Sequence, residues 1–211
     1  MSGGYHETTL AFDVRREILW SVLCKSYFQK LIPASACVLE LGAGYGHFIN
    51  NIRCAQRIAV DEWEGIVNYL KPDVRVYVRH LTDLSVIEAC SVDFVFASNV
   101  FEHLSQTEFA STLRQLREKL RSGGTVNIVQ PNYRLAYRRY FDDYTHVAIY
   151  SDRSLCDFLV ANRFRILECI PRFLPLTIKS RLPVSAPMVR LYLALPFRPF
   201  AGQMFIRATP E

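Results

Sequence analysis

The stretch Val38-Leu39-Glu40-Leu41-Gly42-Ala43-Gly44-Tyr45-Gly46-His47-Phe48 constrains the fold of this chain more than any other. A short apolar run, Cys37–Leu41, reads as a buried strand and feeds at once into glycines at three alternate positions. Glycine tolerates positive φ and lets a ligand lie against bare backbone. A helix over about Tyr45–Arg53 is expected next, and its N-terminus would add free N–H groups and the positive end of a dipole. Strand, glycine turn and helix together describe a nucleotide-type site. The dinucleotide fingerprint is G-x-G-x-x-G. Here the spacing is G-x-G-x-G, with Glu40 two residues before the first glycine. A carboxylate there disfavours a pyrophosphate and favours a cationic ligand, so a nicotinamide-dependent dehydrogenase is disfavoured.

The rest of the chain alternates in the same sense. Apolar positions from Phe12 to Leu31 fall at helical spacing, with Thr8 or Thr9 as cap and Pro33 as the stop. After the glycine loop come strand Arg57–Val60, helix Glu64–Leu70, strand Val74–Val78 and the strongly apolar strand Val92–Ala97. Helix Gln106–Leu120 ends at Gly123-Gly124, and strand Thr125–Val129 follows. This rhythm predicts a doubly wound α/β sheet. Beyond Pro131 it weakens to an aromatic and charged stretch, a helix (Ser151–Ala161) and a strand (Phe164–Ile170). Six of the ten prolines lie in 171–200, which excludes one long helix there. A short helix, Met188–Leu195, and a last strand, Gln203–Arg207, complete the reading. One domain is expected: an N-terminal helical cap (1–35), a ligand-binding core (36–130) and an acceptor-side region with the last strands (131–211).

The second strand ends at Val60-Asp61. An acid at that place can accept hydrogen bonds from both hydroxyls of a ribose; the alternative is a helix N-cap. Trp63 could lie against an adenine face or simply pack.

With these pieces in view, the chain resembles the class I S-adenosylmethionine-dependent methyltransferases. Glu40–Phe48 is similar to that family's first motif and Asp61 to its ribose-binding acid. Val92–Leu104, which includes Ser98, Asn99, Glu102 and His103, is similar to the fourth-strand motif, and Leu120–Gly124 to the turn before the fifth strand. The resemblance implies a Rossmann-like, mostly parallel, seven-stranded sheet with an N-terminal helix and a Pro-rich C-terminal segment. It also implies S-adenosylmethionine as cofactor, whose ammonium and sulfonium suit Glu40. The cofactor-binding set it implies is Glu40, Gly42, Ala43, Gly44, Gly46, Asp61, Glu62, Trp63, Leu81, Asp83, Ser98 and Asn99. One departure stands out: where the family often has an Asp for the adenine amino group, this chain has His80, so Asp83 or a backbone group would take that contact.

Two places could supply acid–base chemistry. Glu102-His103 follows the fourth strand, and Tyr140-Phe141-Asp142-Asp143-Tyr144-Thr145-His146 follows the fifth. His146 titrates near neutral pH and suits a base, and Asp143 could orient it or bind an acceptor hydroxyl. His103 is a second candidate or a structural pin beside the cofactor; Asp142 reads as a capping or surface residue. No metal site is expected, because the cysteines (Cys24, Cys37, Cys54, Cys90, Cys156, Cys169) form no C-x-x-C pair and read as core residues in a reducing compartment.

Charge is unevenly spread. Residues 1–120 hold 12 basic and 14 acidic side chains, a net of −2, whereas 121–211 hold 13 and 6, a net of +7. The basic half suits an anionic partner or is a solvated surface. Arg134, Arg138 and Arg139 are candidates to grip such a partner. The F-D-D-Y-T-H run and the tail resemble bacterial methyltransferases of cell-surface glycan assembly. That implies a small-molecule or sugar acceptor, on a nucleotide or lipid-phosphate carrier, in polysaccharide or secondary-metabolite biosynthesis. Basic and aromatic residues between the prolines of 171–200 would suit a peripheral contact with a membrane, or would cover the acceptor cleft. Neither a signal peptide nor a membrane-spanning run is read, so a cytoplasmic protein, at most associated with the inner face of the membrane, is expected. A nucleic-acid or protein methyltransferase lacks a recognition module here; an inactive scaffold is the other alternative.

Overall fold

The computed structural model describes residues 12–176 and 185–211. Its elements run in the order α1 (Val14–Ser26), β1 (Cys37–Leu41), β2 (Gln56–Asp61), β3 (Val74–Val78), β4 (Val92–Ser98), α2 (Gln106–Lys119) and β5 (Leu120–Pro131). Then follow α3 (Tyr133–Ala136), α4 (Asp152–Ala161), β6 (Phe164–Pro175), α5 (Ala186–Ala194) and β7 (Ala201–Pro210). The seven strands form one sheet in the order β3-β2-β1-β4-β5-β7-β6. β1 to β5 pair in parallel, and β7 runs antiparallel between β5 and β6. The expected Rossmann-like architecture is therefore present.

The central strands are apolar on both faces because both faces are covered. Successive side chains alternate across the sheet. Leu39, Leu41, Val95, Ala97, Val126 and Ile128 pack on one side with Phe109, Leu113 and Leu116 of α2 and Leu155 and Leu159 of α4. Val38, Phe94, Phe96 and Phe205 pack on the other with Leu23 and Phe28. Each such side chain, fully buried, contributes roughly 1.5–3 kcal/mol. α2 starts at a capping box, Ser105 with Glu108, and α4 at a second, Ser151 with Ser154.

Several local expectations are corrected. No α-helix follows the glycine loop: Gly44 (φ +51°) and Gly46 (φ +68°) are left-handed, so residues 44–48 turn and only Ile49–Asn51 form a single 3-10 turn. Glu64–Asn68 is likewise a 3-10 turn rather than a helix. α1 is capped by Asp13, whose carboxylate accepts the Arg15 N–H; Thr8 and Thr9 lie outside the described residues. β6 continues through Pro171 to Pro175, which an edge strand permits. Only Cys24 and Cys37 are buried; Cys90 and Cys169 are exposed, so the cysteines are not uniformly core residues.

Because β1 leads outward to β2 and β3 while β4 lies on its other side, the sheet reverses its winding between β1 and β4. The crevice beyond the carboxyl ends of those strands is where such sheets bind ligands. The glycine loop, Asp61 and the Ser98–His103 segment all meet there.

Candidate active site

The loop after β1 is built by glycine. Gly42 sits at φ +64°, and its N–H donates to the Val60 carbonyl at 2.8 Å. A Cβ on Gly42 would lie 2.5 Å from Val100 Cγ2, and one on Gly46 would lie 2.5 Å from Leu70 Cδ2. Larger residues at either place would push the loop off its neighbours.

Two carboxylates hold the loop. Asp61 Oδ2 accepts the Gly44 N–H at 2.7 Å, and Oδ1 accepts the Trp63 N–H at 2.9 Å. Glu40 is 4% exposed and accepts the Ile49 N–H at 2.9 Å. Burial, with the charge of Asp61 adding to it, pushes the Glu40 carboxyl well above the usual range. Backbone N–H groups thus point at acids, where the absent helix would have offered them to a ligand. Each carboxylate oxygen keeps lone pairs for further donors, so the set fits a ligand with ribose hydroxyls and a cationic end.

Other expected cofactor residues are placed as follows. Trp63 stacks on Tyr69 (centroids 5.5 Å) and meets Tyr45 edge-on (5.2 Å). Phe12 closes the same cluster on Tyr45 at 5.5 Å. Ala43 is buried, whereas Glu62 is exposed. Leu81 packs against the core on the α2 side. Asp83 is held by the Ser85 hydroxyl at 2.6 Å and by Arg79 at 2.7 Å, which bring its carboxyl down to about 2. His80 is exposed, its Nδ1 2.8 Å from the Thr82 hydroxyl. Ser98 ends β4, and Asn99 sits at φ +53°, its N–H on the Val129 carbonyl at 2.8 Å and its Oδ1 accepting from Gln203 at 3.1 Å.

The two acid–base candidates from distant parts of the chain come together. Val147 and Ala148 donate their N–H groups to the Glu102 carbonyl at 2.9 and 3.1 Å, folding the segment after β5 onto the end of β4. The rings of His103 and His146 then lie 4.9 Å apart. His103 Nδ1 faces the Thr145 carbonyl (3.2 Å) and hydroxyl (2.9 Å). His146 Nδ1 lies 2.6 Å from the Tyr140 carbonyl. A carbonyl only accepts, so both Nδ1 atoms carry hydrogen and both Nε2 atoms carry a lone pair in the neutral rings. Burial lowers the pKa of both, favouring that neutral form; the neighbouring His146 lowers His103 further.

Asp143 accepts the Thr145 N–H at 3.0 Å and its hydroxyl at 2.5 Å, and lies 3.9 Å from His146 Nε2. Burial works against its charge, but the Thr145 hydrogen bonds and the two histidines hold its carboxyl below the ordinary value. Thr145 is thus the link between Asp143 and His103, a role that reading the D-Y-T-H run for titratable groups alone does not reveal.

Glu102 is fully buried, and neither carboxylate oxygen has a hydrogen-bond partner among the described residues. Burial raises its carboxyl to about 8, opposed by the nearby backbone N–H groups of Glu102 and Val100, with the Asp143 charge adding to the rise. One ligand-type atom from each of Glu102, His103 and His146 lies within 4.8 Å of the others. The fold thus brings together three groups of metal-ligand type from two distant segments of the chain. Arg134 meets Asp152 at 3.1 Å, Arg138 lies over the Tyr137 ring, and Arg139 is exposed.

Comparison with known proteins agrees with this geometry. A family model described as a methyltransferase domain matches residues 15–168. Among curated protein sequences none matches. A methyltransferase from Archaeoglobus fulgidus described as S-adenosylmethionine-dependent is similar in fold, with TM-score 0.69, 19% identity and 97% of each chain covered. One from Clostridium acetobutylicum, described in the same terms, has TM-score 0.63 and 12% identity, covering 98% of this chain and 96% of its own. A Thermotoga maritima protein, described as a possible histamine N-methyltransferase, has TM-score 0.66 and 15% identity, with 94% of this chain and 92% of its own covered. The matched domain, the strand order and the acid-latched glycine loop converge: the chain belongs to the methyltransferase-domain family and is a class I S-adenosylmethionine-dependent methyltransferase.

Proposed function

We propose that this methyltransferase O-methylates a hydroxyl of a sugar or a related small polar molecule. The observation that carries the reading is the orientation of His146, whose Nδ1–H is fixed on the Tyr140 carbonyl while Asp143 stands near Nε2. A hydroxyl acceptor has to lose a proton as it is methylated, and an imidazole with a fixed Nε2 lone pair is suited to take it. S-Adenosylmethionine supplies a sulfonium-bound methyl group for in-line transfer.

The chain's own residues have separate tasks. Asp61 and Glu40 would hold the ribose hydroxyls and the cationic end of the cofactor, with Gly42, Gly44 and Gly46 leaving room for it. His146 accepts the acceptor's proton at Nε2, and Asp143 favours the resulting cation. Asp143 also fixes His103 through Thr145.

The carrier of the acceptor is read from the C-terminal region. Segment 171–200 contains five basic and no acidic residues. Among its described residues Leu191, Phe197 and Phe200 are strongly exposed, Phe200 at 92%. Among the described residues no helix is long and apolar enough to cross a membrane. A basic, aromatic surface of this kind suits a peripheral contact with anionic lipid and an acceptor on a lipid-phosphate carrier.

The test is formation of S-adenosylhomocysteine with nucleotide-linked and lipid-linked sugars as acceptors. Wild-type protein is expected to turn over at least one of them. His146→Ala should lower kcat about 100-fold or more and leave cofactor affinity nearly unchanged. Full turnover in that variant would rule out His146 as the base.

A further inference from the structure

We propose that Glu102, His103 and His146 form a binding site for a first-row divalent cation, zinc being the best fit, with at least one coordination position open. The inference rests on the reading of the acceptor site above and changes its chemical agent. The three ligand-type atoms already lie within 4.8 Å of one another.

Two independent features point to an ion, and a third reinforces the second. Glu102 is wholly removed from water, and neither of its oxygens has a hydrogen-bond partner among the described residues. An acid so placed is costly to ionise unless a cation meets it. Next, each histidine turns Nδ1 to a backbone carbonyl, His103 to Thr145 and His146 to Tyr140. That is the arrangement by which metal-binding histidines are held, with Nε2 left as the ligand. Finally, the orienting groups are themselves fixed: Asp143 accepts from the Thr145 hydroxyl, which fixes the oxygen beside His103 Nδ1.

Ligand chemistry selects the ion. Two imidazole nitrogens and one carboxylate oxygen suit zinc with a free position, or ferrous iron. Magnesium and calcium take oxygen ligands and fit poorly. The site lies beside the end of β4, at the crevice that receives the ligands. A hydroxyl oxygen on the open position would release its proton to solvent more readily, as metal-bound water does. With an ion present, His146 is a ligand and the ion prepares the acceptor.

The experiment titrates chelator-treated, desalted wild-type protein with Zn2+ and with Co2+, the latter followed by its visible ligand-field absorption. One ion per chain is expected. Glu102→Gln and His146→Gln should each weaken binding at least about tenfold and remove the low-coordinate cobalt spectrum. Retained S-adenosylmethionine binding shows that each variant is folded; if one is not, the other carries the test. Failure of the wild type to bind either ion, or equal binding by both variants, overturns the site. Turnover that persists in chelator but is lost in His146→Ala overturns the ion's role while leaving hydroxyl methylation, with His146 as base, intact.

Discussion

The carboxylate of Asp61, at the end of β2, accepts the backbone N–H of Gly44 at 2.7 Å and so latches the middle of the glycine loop to the neighbouring strand. The same carboxylate is the expected partner of the ribose hydroxyls. One side chain therefore shapes the loop and would bind the ligand. Asp61→Ala removes both functions, and a hydrogen bond to a charged group is worth about 1.5–3 kcal/mol. Calorimetric titration should show affinity for S-adenosylmethionine falling by at least about tenfold. Affinity equal to wild type would place the ribose elsewhere.

Gly44 offers a test of the loop that does not touch a charge. At φ +51° it occupies a region that a β-branched residue enters only with strain. Gly44→Val should lose cofactor binding, and its Tm should fall because the strain, roughly 1–2 kcal/mol, is present without ligand too. A variant that binds normally would sink the assignment of the loop.

Glu40 makes cofactor binding depend on pH. In the free protein, burial raises its carboxyl well above the ordinary 4.5. A raised folded value means that this group's contribution to stability is full below 4.5 and is lost as pH rises through the folded value. A bound cation favours the ionised form, so binding releases a proton and tightens as pH rises through the same window. Opposite slopes of Tm and of affinity against pH are expected for wild type, and both should flatten in Glu40→Gln. Parallel pH profiles of affinity for the two proteins would show that Glu40 is not linked to the cofactor.

The strands were legible because burial on both faces leaves uninterrupted apolar runs, and Cys37–Leu41 and Val74–Val78 begin and end where the pattern places them. The segment after the glycines was not. Its apparent helix is prevented by left-handed Gly44 and Gly46 and by the Glu40 carboxylate, which takes the Ile49 N–H, and these are tertiary facts. Glu102 was visible as a neighbour of His103, but nothing local reveals a carboxylate sealed from water. The meeting of His103 with His146 depends on two N–H groups, of Val147 and Ala148, reaching the Glu102 carbonyl. Linear spacing cannot show such a junction.

The exposed aromatic surface gives the last prediction. Phe197 and Phe200 stand in water, and the Arg172 guanidinium lies 5.2 Å from the Phe197 ring centre. Leu191, also strongly exposed, lies on α5. Apolar side chains alone would favour any lipid surface, whereas arginines add attraction only to an anionic one, worth about 1 kcal/mol for each near the surface. The protein should therefore sediment with vesicles rich in phosphatidylglycerol, bind neutral phosphatidylcholine vesicles weakly, and detach as salt rises. The pair Leu191→Glu and Phe200→Glu replaces apolar contact with repulsion. It should reduce vesicle binding about tenfold or more, with Tm nearly unchanged because both side chains are exposed. Binding that ignores lipid charge, or survives both substitutions, would assign this surface to another partner.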